Sequence, residues 1–327
     1  MVDVEVGLDS IKQIKKRKEL LKLADVAFKV AQGIEKPEAL QTIFERATEQ
    51  KDDHLPLTPV TDDLSELISH AYQEQGYRWR LDCLNKSFGS LREGDFGFIF
   101  ARPETGKTTF LASEVSNFAL QTKKPIIWLN NEEQGEKVKL RIYQAFFGIP
   151  LDQLLSNIKK YHEKYLEATN GNVMLFDSAT ISRWDVEKII SKINPGIVIY
   201  DQLPKIKGFA ADRDDLRLGT IFQWARELAK GSHAAIGVQQ ADGTAEGVRY
   251  LTMEHVANAK TAVQAEADWI LGIGKTHDVN AQEVRYLSIS KNKLLGDPDT
   301  LPNLKHGRFE VIIRPQIARY EDVVNYG

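Results

Sequence analysis

The chain has 327 residues, of which 42% are hydrophobic and 27% are charged, so it is long enough for one large domain with a small appendage. Its net charge of −3 gives no general attraction to nucleic acid, and its single cysteine, Cys83, excludes an internal disulfide and a cysteine-rich zinc site. No apolar run approaches the roughly 18 residues of a membrane-spanning helix, and the acidic N-terminus lacks a secretory apolar core. We therefore expect a cytoplasmic protein with no membrane partner, in which any nucleic-acid contact comes from local basic loops.

The beginning of the chain differs from the rest. Helical periodicity marks residues 11–30, which carry a basic run at 15–18, and a second amphipathic segment spans 37–50. Prolines and acids make 52–63 typical of a linker, and 64–75 is again a helix candidate. The basic run could touch DNA, although a solvated helix face is the commoner meaning of such a run. The predicted division is a small helical N-terminal segment with its linker at 1–60, a linker helix at 61–76 and the main domain at 77–327.

Short apolar runs alternate with amphipathic ones through the main domain. The predicted strands are Phe96–Phe100, Pro125–Leu129, Val173–Phe176, Gly196–Tyr200, Ala234–Val238 and Trp269–Ile273. The predicted helices are Thr109–Leu120, Glu136–Phe147, Arg183–Ile193 and Leu216–Lys230. Two alternating runs, Val284–Ser290 and Arg308–Ile313, favour an antiparallel C-terminal extension. The pattern predicts an α/β fold whose mostly parallel sheet has helices on both faces and a ligand at the carboxyl ends of its strands.

One segment has the pattern of a phosphate-binding loop between a strand and a helix. Its residues are Ala101, Arg102, Pro103, Glu104, Thr105, Gly106, Lys107, Thr108 and Thr109. In such a loop Gly106 lets the backbone approach the phosphates, Lys107 reaches the β- and γ-phosphates, and the Thr108 hydroxyl binds Mg²⁺. The free amides of the following helix add to the site. The segment therefore predicts that ATP or another NTP binds with Mg²⁺, although Ala101 departs from the usual first glycine.

Polar residues follow three of the predicted strands and would complete this chemistry. Asp201 ends an apolar strand, where a carboxylate can hold Mg²⁺ or its water. Glu132 and Glu133 follow another strand, and a carboxylate there could activate the attacking water, or both could simply begin the next helix. Gln240 ends a third strand, where it could hydrogen-bond the γ-phosphate or be an ordinary polar strand end.

In combination these motifs resemble those of the DnaB-type replicative helicases. The resemblance is carried by Leu81–Asn85, by Leu91–Asp95 and by the Ala-Arg-Pro that precedes Gly-Lys-Thr-Thr-Phe, a sequence that the family also favours in place of the first glycine. The run from Pro125 to Arg141 is similar to the family's next motif. This similarity implies that Glu132, rather than Glu133, stands at the family's catalytic glutamate.

Later motifs extend the resemblance, which covers about residues 64–320. Asp201 stands at the family's Walker B acid and Gln240 at its strand-end glutamine. The run 265–268 is similar to the family's acidic-Ala-Asp signature, and 291–296 resembles its Lys-x-Arg-x-x-Gly.

The resemblance implies a RecA-like core that assembles into a ring, usually a hexamer, and moves 5′→3′ on single-stranded DNA using ATP. Each ATP would lie between subunits, with Lys293 and Lys291 reaching in from the neighbour. Lys293 replaces the family's usual arginine, so it offers a point charge instead of a planar fork. Candidate partners are a primase, a polymerase or a helicase loader. The N-terminal segment does not resemble the family's helical-hairpin domain or a fused primase, and this compactness is similar to that of phage-encoded helicases.

Two loops are candidates for contact with DNA. The family's Arg-Glu-Ser-Gly falls near residues 258–261, where Lys260 is the best candidate, with Arg249 behind it. A second loop carries Lys205 and Lys207, although neighbouring acids dilute its charge. Base-independent contact needs such cations near a central pore, but each loop could equally be plain surface.

Two other functions remain compatible with the sequence. A recombinase of the RecA class would share the core and form a filament, although the Ala-Arg-Pro run and the Lys-x-Lys element disfavour it. The other is an ATP-switched loader or scaffold, in which lysine in place of arginine at position 293 would reflect the loss of ATP turnover.

Overall fold

The structure is a computed structural model that describes residues 17–18, 20–36, 39–40, 63–68, 76–211, 213–257 and 260–323. The chain divides into two compact units, residues 1–64 and residues 65–327. In the first unit, residues 20–31 are helical, in agreement with part of the helix predicted from 11 to 30. Of the predicted basic run, only Arg17 and Lys18 are described, and both are exposed.

Most of the other N-terminal predictions lie outside the described residues. Within 37–50 only residues 39 and 40 are described, both of them helical, and of the linker at 52–63 only Asp63 is described. The helix Leu64–Ile68 falls inside the predicted linker helix, whose remainder up to residue 75 is not described. The division at 60 and 76 therefore stays a prediction. In the described part of the chain, no helix has both the length and the apolar character that crossing a bilayer requires.

The second unit is built on a single sheet of nine strands. These are β1 (Phe96–Ala101), β2 (Ile126–Asn130), β3 (Val173–Asp177), β4 (Ile197–Asp201), β5 (Ala234–Gln240), β6 (Trp269–Gly274), β7 (Val284–Asn292), β8 (Arg308–Arg314) and β9 (Arg319–Asp322). Their order is β3-β2-β4-β5-β1-β6-β7-β8-β9. The first six strands in that order are parallel, and β7, β8 and β9 add antiparallel pairs. The predicted α/β fold, with its parallel sheet and antiparallel extension, is confirmed.

After the short helix Leu64–Ile68, eight further α-helices are described in this unit. They are α1 (Asp82–Phe88), α2 (Lys107–Phe118), α3 (Gly135–Phe147), α4 (Leu151–Ser156), α5 (Ile158–Thr169), α6 (Arg183–Ile193), α7 (Asp214–Ser232) and α8 (Lys260–Glu266). Local chemistry fixes several of their ends: Ser182 and Asp185 form a capping box at the start of α6, and Gly148 ends α3 in the left-handed conformation. Four helices match their predicted segments to within two residues, whereas α1, α4, α5, α8 and the short strand β9 had no matching prediction.

The sheet is buried on both faces. Along β1, Ile99 and Ala101 belong to the core cluster that includes residues of α2 and α3, while Phe98 and Phe100 belong to the cluster that includes residues of α7. Every residue of β1, β2 and β4 is buried, as expected for parallel strands covered by helices on both sides. Burying one large apolar side chain contributes about 1.5–3 kcal/mol, so these strands form a rigid platform for the loops at their carboxyl ends.

Candidate nucleotide-binding site

The predicted phosphate loop connects β1 to α2. Gly106, the residue before the helix, has φ 108°, a conformation in the left-handed half of the backbone map that favours glycine. Lys107 begins the helix, and its Nζ donates to the carbonyls of Ala101 and Arg102 at 3.4 and 3.3 Å. Lys107 is only 7% exposed. The ammonium group therefore lies folded across the loop, where phosphate oxygens are expected.

The antiparallel extension supports this loop from the side. Nε of the buried Arg285 on β7 donates to the Thr105 carbonyl at 2.6 Å. The Tyr320 hydroxyl donates to the carbonyls of Thr105 and Gly106 at 3.4 and 3.3 Å. A Cβ placed on Gly106 would come within 2.6 Å of Ile313 and 2.8 Å of the Tyr320 hydroxyl. Glycine is therefore required at 106 by packing as well as by backbone conformation.

Asp201 ends β4 and faces the loop. It is 2% exposed, and its Oδ1 is buried without a hydrogen-bond partner. Burial, together with the charge of Glu132, raises the pKa of Asp201 to about 7, while the charge of Lys107 acts in the opposite direction. A buried carboxylate oxygen without a partner beside a phosphate loop suits Mg²⁺, which takes one or two carboxylates and leaves its other positions to phosphate and water. The residues present therefore fit the predicted metal.

The charges of Asp201 and Glu132 also affect the pKa of Lys107. Burial lowers the pKa of Lys107, and the charges of Glu132 and Asp201 oppose that change. The three groups therefore share one electrostatic environment. This agrees with the predicted site, although the individual roles of these residues remain predictions.

The ends of β2 and β4 are tied together by two residues that the sequence analysis did not single out. The Asn131 amide donates to the Asp201 carbonyl at 2.8 Å, and its side chain exchanges hydrogen bonds with the backbone of Gln202 at 2.6 and 2.9 Å. The Gln202 side chain then donates through Nε2 to Oε2 of Glu132 at 2.6 Å. The peptide bond between Asp201 and Gln202 is cis.

Glu132 and Glu133 have different surroundings. Glu132 is held by Gln202 and lies close enough to Asp201 and Lys107 for its charge to affect both. Glu133 instead pairs with Arg141 at 2.8 Å. This geometry supports the earlier choice of Glu132 as the residue that faces the phosphates.

Gln240 lies beside the loop, as its place at a strand end predicts. It pairs with Ala101 in the register of β1 and β5, and the next amide, that of Ala241, donates to the Ala101 carbonyl at 3.0 Å. Arg102 donates through Nη1 to the Ala241 carbonyl at 3.2 Å and pairs with Glu246 at 3.0 Å. The loop after β5 is thus attached to the phosphate loop.

Lys291 and Lys293 lie at the opposite edge of the sheet. The Lys293 amide donates to the Asp268 carbonyl, and the Asp268 amide donates to the carbonyl of Phe96, the first residue of β1. Ala101, at the other end of β1, is about 17 Å away along the strand. Lys291 is turned onto the end of α8, where its Nζ donates to the carbonyls of Gln264 and Ala265 at 2.5 and 3.1 Å. Within one subunit neither lysine is near the phosphate loop.

The predicted DNA-contacting residues are dispersed. Lys205 lies near enough to Lys107 for its charge to lower the pKa of Lys107, whereas Lys207 is exposed two residues further on. Arg249 is exposed and stacks over the Tyr286 ring with 5.5 Å to its centroid. Lys260 begins α8, but its side chain is not among those described.

The residues that sequence reasoning missed fall into two groups. Asn131 and Gln202 are each adjacent in sequence to a predicted site residue, so polar side chains next to the two strand ends were a usable signal. Arg285 and Tyr320 are separated from the phosphate loop by 180 and 215 residues. Only the pairing of β7, β8 and β9 brings them to it.

Known proteins are similar to this chain in sequence. A sequence model of the family described as an AAA domain matches residues 48–240, more than half of the chain. The replicative DNA helicase DnaB of Pasteurella multocida is 24% identical over 263 residues, which cover 74% of this chain and 54% of that protein. DnaB of Buchnera aphidicola subsp. Baizongia pistaciae is 27% identical over 161 residues, covering 45% of this chain and 35% of that protein. The chain thus spans about half or less of the length of these curated relatives.

Solved structures share the fold. An ATPase domain superposes with a TM-score of 0.65 at 16% identity, covering 81% of this chain and 100% of that domain. A structure described as a DnaB-like replicative helicase and its interactions with primase gives a TM-score of 0.65 at 14% identity, covering 97% of this chain and 78% of that one. The predicted RecA-like core and the resemblance to DnaB-type replicative helicases are confirmed, whereas the expected phage origin stays a prediction.

Proposed function

Because the chain belongs to the AAA domain family, which implies that it uses a nucleotide, we propose that it is the ATP-driven motor of a replicative DNA helicase. The motor would form a ring, usually a hexamer, and move 5′→3′ on single-stranded DNA. The observation that carries the proposal is the constellation at the carboxyl edge of the sheet. There a phosphate loop with Lys107, a buried acid Asp201 and the oriented carboxylate of Glu132 meet.

The chain's own residues supply the steps of hydrolysis. Lys107 and the free amides at the start of α2 bind the β- and γ-phosphates. Glu132, oriented by Gln202, accepts the proton of the attacking water as that water approaches the γ-phosphate. Thr108 and Asp201 would hold Mg²⁺, which when bound neutralises phosphate charge. Gln240, beside Ala101, would detect the γ-phosphate and pass its presence to the loop after β5.

The position of Lys293 supports a site completed by a second subunit. Lys293 lies at the opposite edge of the sheet from its own phosphate loop, so any nucleotide site that it serves belongs to a neighbour. A head-to-tail arrangement of identical subunits brings one edge of a subunit against the other edge of the next and closes into a ring. In that arrangement Lys293 would stabilise charge on the transferred phosphate, and Lys291 would assist it.

Contact with DNA would involve Lys260, Arg249, Lys205 and Lys207. Phosphate contacts by such cations are independent of base sequence, as a translocating motor requires. The proposed partners are single-stranded DNA, further copies of the chain and a primase, polymerase or helicase loader. The proposed place of action is the cytoplasm of a bacterial or phage-infected cell.

The test is ATP hydrolysis with and without single-stranded DNA, together with unwinding of forked duplexes that carry only a 5′ or only a 3′ tail. We expect DNA-stimulated hydrolysis and unwinding from the 5′ tail, and loss of both in Lys107→Ala. Stimulated hydrolysis with filaments and strand exchange would instead identify a recombinase. Hydrolysis that does not respond to DNA would identify an ATP-switched loader or scaffold, and turnover retained in Lys107→Ala would refute the site itself.

A further inference from the structure

A column of aromatic rings runs from the core to the surface beside the phosphate site. Tyr200, the residue before Asp201, packs edge-on against Trp224 with ring centroids 5.9 Å apart, and Trp224 packs against Phe209 at 5.2 Å. The guanidinium of Arg183 lies over both Phe209 and Trp184, at 5.6 and 4.9 Å from their ring centroids. Trp184 is therefore the outermost ring of the column, with a cation stacked on one side.

The loop after β4 is fastened to this column. The Lys207 amide donates to the Ile181 carbonyl at 3.0 Å, and the Arg183 amide donates to the Lys207 carbonyl at 3.0 Å. The next residue, Gly208, has φ 93°, and a Cβ there would approach the Trp184 ring to 2.7 Å. Glycine at this position lets the loop lie directly against the indole. The arrangement fixes the backbone of the exposed Lys207 beside that of Arg183, the residue before Trp184.

Trp184 differs from every other tryptophan in the chain. It is 55% exposed, whereas Trp79, Trp128, Trp224 and Trp269 are all 8% exposed or less. An indole held by a cation–π contact on one side loses little conformational entropy when a second planar group covers its open side. A large aromatic surface left in water next to a lysine has the composition of a platform for single-stranded nucleic acid, in which a base stacks and the cation binds the phosphate.

We propose that Trp184 stacks on a base of single-stranded DNA and that Lys207 binds an adjacent phosphate. The proposal rests on the proposed function, because it assumes that the loop after β4 meets DNA. The other candidate DNA-contacting residues are all cations, whereas Trp184 would bind DNA by stacking. Since any base has a π-face, the contact is independent of sequence and suits a moving motor.

The experiment uses the full chain with Mg²⁺, a non-hydrolysable ATP analogue and a 20-nucleotide oligonucleotide of thymidine. Because the other four tryptophans are buried, quenching of tryptophan emission by the oligonucleotide should come from Trp184. We expect clear quenching in the wild type and almost none in Trp184→Phe. Quenching that is unchanged in Trp184→Phe would overturn the proposal.

Affinity and salt dependence separate stacking from charge. With a fluorescein-labelled oligonucleotide, Trp184→Ala should weaken Kd roughly tenfold while leaving the slope of log Kd against log salt unchanged. Trp184→Phe should stay within about threefold of the wild type, because phenylalanine also stacks. Lys207→Ala should instead reduce the salt slope by about one. The control is Leu120→Ala, a side chain of similar exposure, 54%, just beyond the far end of α2.

Failure of the proposed function and failure of the stacking contact alone give different results. A wild type that binds no oligonucleotide would refute the proposed function and this proposal with it. A wild type that binds, with a Trp184→Ala variant of equal affinity, would refute the stacking contact alone. Trp184→Ala could also reduce the number of subunits in the assembly, measured as its mass in solution. If the assemblies that remain intact bind DNA as the wild type does, Trp184 belongs to a contact between subunits and the proposal fails. Thermal unfolding of each variant verifies that it is folded.

Discussion

Gln202 donates a hydrogen bond of 2.6 Å from its Nε2 to Oε2 of Glu132, linking the residue after the end of β4 to a residue beyond the end of β2. The backbone of Gln202 is in turn held by the side chain of Asn131. The carboxylate is thus oriented by hydrogen bonds that run from Asn131, its neighbour in sequence, through Gln202 after the adjacent strand β4.

The first prediction follows from that link. Gln202→Leu should keep ATP binding but lower kcat about tenfold, because a hydrogen bond to a charged group contributes about 1.5–3 kcal/mol. Glu132→Gln should lower kcat by about a hundredfold or more, as loss of a general base does. Steady-state hydrolysis and binding of a fluorescent ATP analogue measure the two effects. The matched control is Glu133→Gln, which removes only the pair with Arg141; if it costs more turnover than Glu132→Gln, the roles are exchanged.

A second prediction concerns the two edges of the sheet. Lys107→Ala and Lys293→Ala should each abolish most hydrolysis, the first by emptying its own site and the second by withdrawing the cation from its neighbour's site. Mixing the two variants should restore measurable hydrolysis, because some mixed contacts join an intact phosphate loop to an intact Lys293. The control mixture combines Lys107→Ala with a Lys107→Ala, Lys293→Ala double variant. Equal activity in both mixtures would mean that Lys293 does not act between subunits.

The third prediction addresses the support that the antiparallel extension gives to the phosphate loop. Arg285→Met leaves the Thr105 carbonyl without its strongest donor, so we expect a loss of about 1–3 kcal/mol in unfolding free energy and weaker ATP binding. Arg314→Met is the matched control on β8, where the arginine pairs with Glu283 and Glu321 near the surface and should change stability by less than about 0.5 kcal/mol. Denaturant unfolding and nucleotide titration measure both. Equal losses in the two variants would contradict a specific role for Arg285.

His233 provides a prediction about pH. The residue is buried between α7 and β5, its Nε2 has no hydrogen-bond partner, and burial lowers its pKa from 6.5 to about 4. Below pH 6.5 His233 is protonated in the unfolded chain but stays neutral in the folded chain. The free energy of unfolding therefore declines as the pH falls from 6.5 towards 4. The loss reaches about 3 kcal/mol.

Unfolding by urea at pH 7.5 and at pH 4.5 measures this effect. His233→Leu should remove part of the difference in unfolding free energy between the two values of pH. A variant with the full wild-type difference would show that other groups cause it.

Some residues of the site were predictable from the sequence, and others were not. Lys107 was predicted from the phosphate-loop pattern, and Asp201 and Gln240 were predicted from strand ends. The structure brings all three to one edge of the sheet because parallel strands direct their carboxyl ends the same way. The choice between Glu132 and Glu133 needed the resemblance to a family, since both follow the same strand. The structure supports the choice through partners that lie 70 residues and 8 residues away in sequence, Gln202 and Arg141 respectively.

The sequence by itself determined eight of the nine strands, four of the helices and the local motif, because short apolar runs alternating with amphipathic ones favour parallel strands and the phosphate loop depends on residues that are contiguous in the chain. Tertiary structure alone decided which distant groups meet. Strand order and register bring Arg285 and Tyr320 onto the loop and hold Lys293 away from it. Packing places Trp184 at the outer end of a column of four rings that come from four different segments. Such contacts depend on packing in three dimensions, for which periodicity along the chain carries no signal.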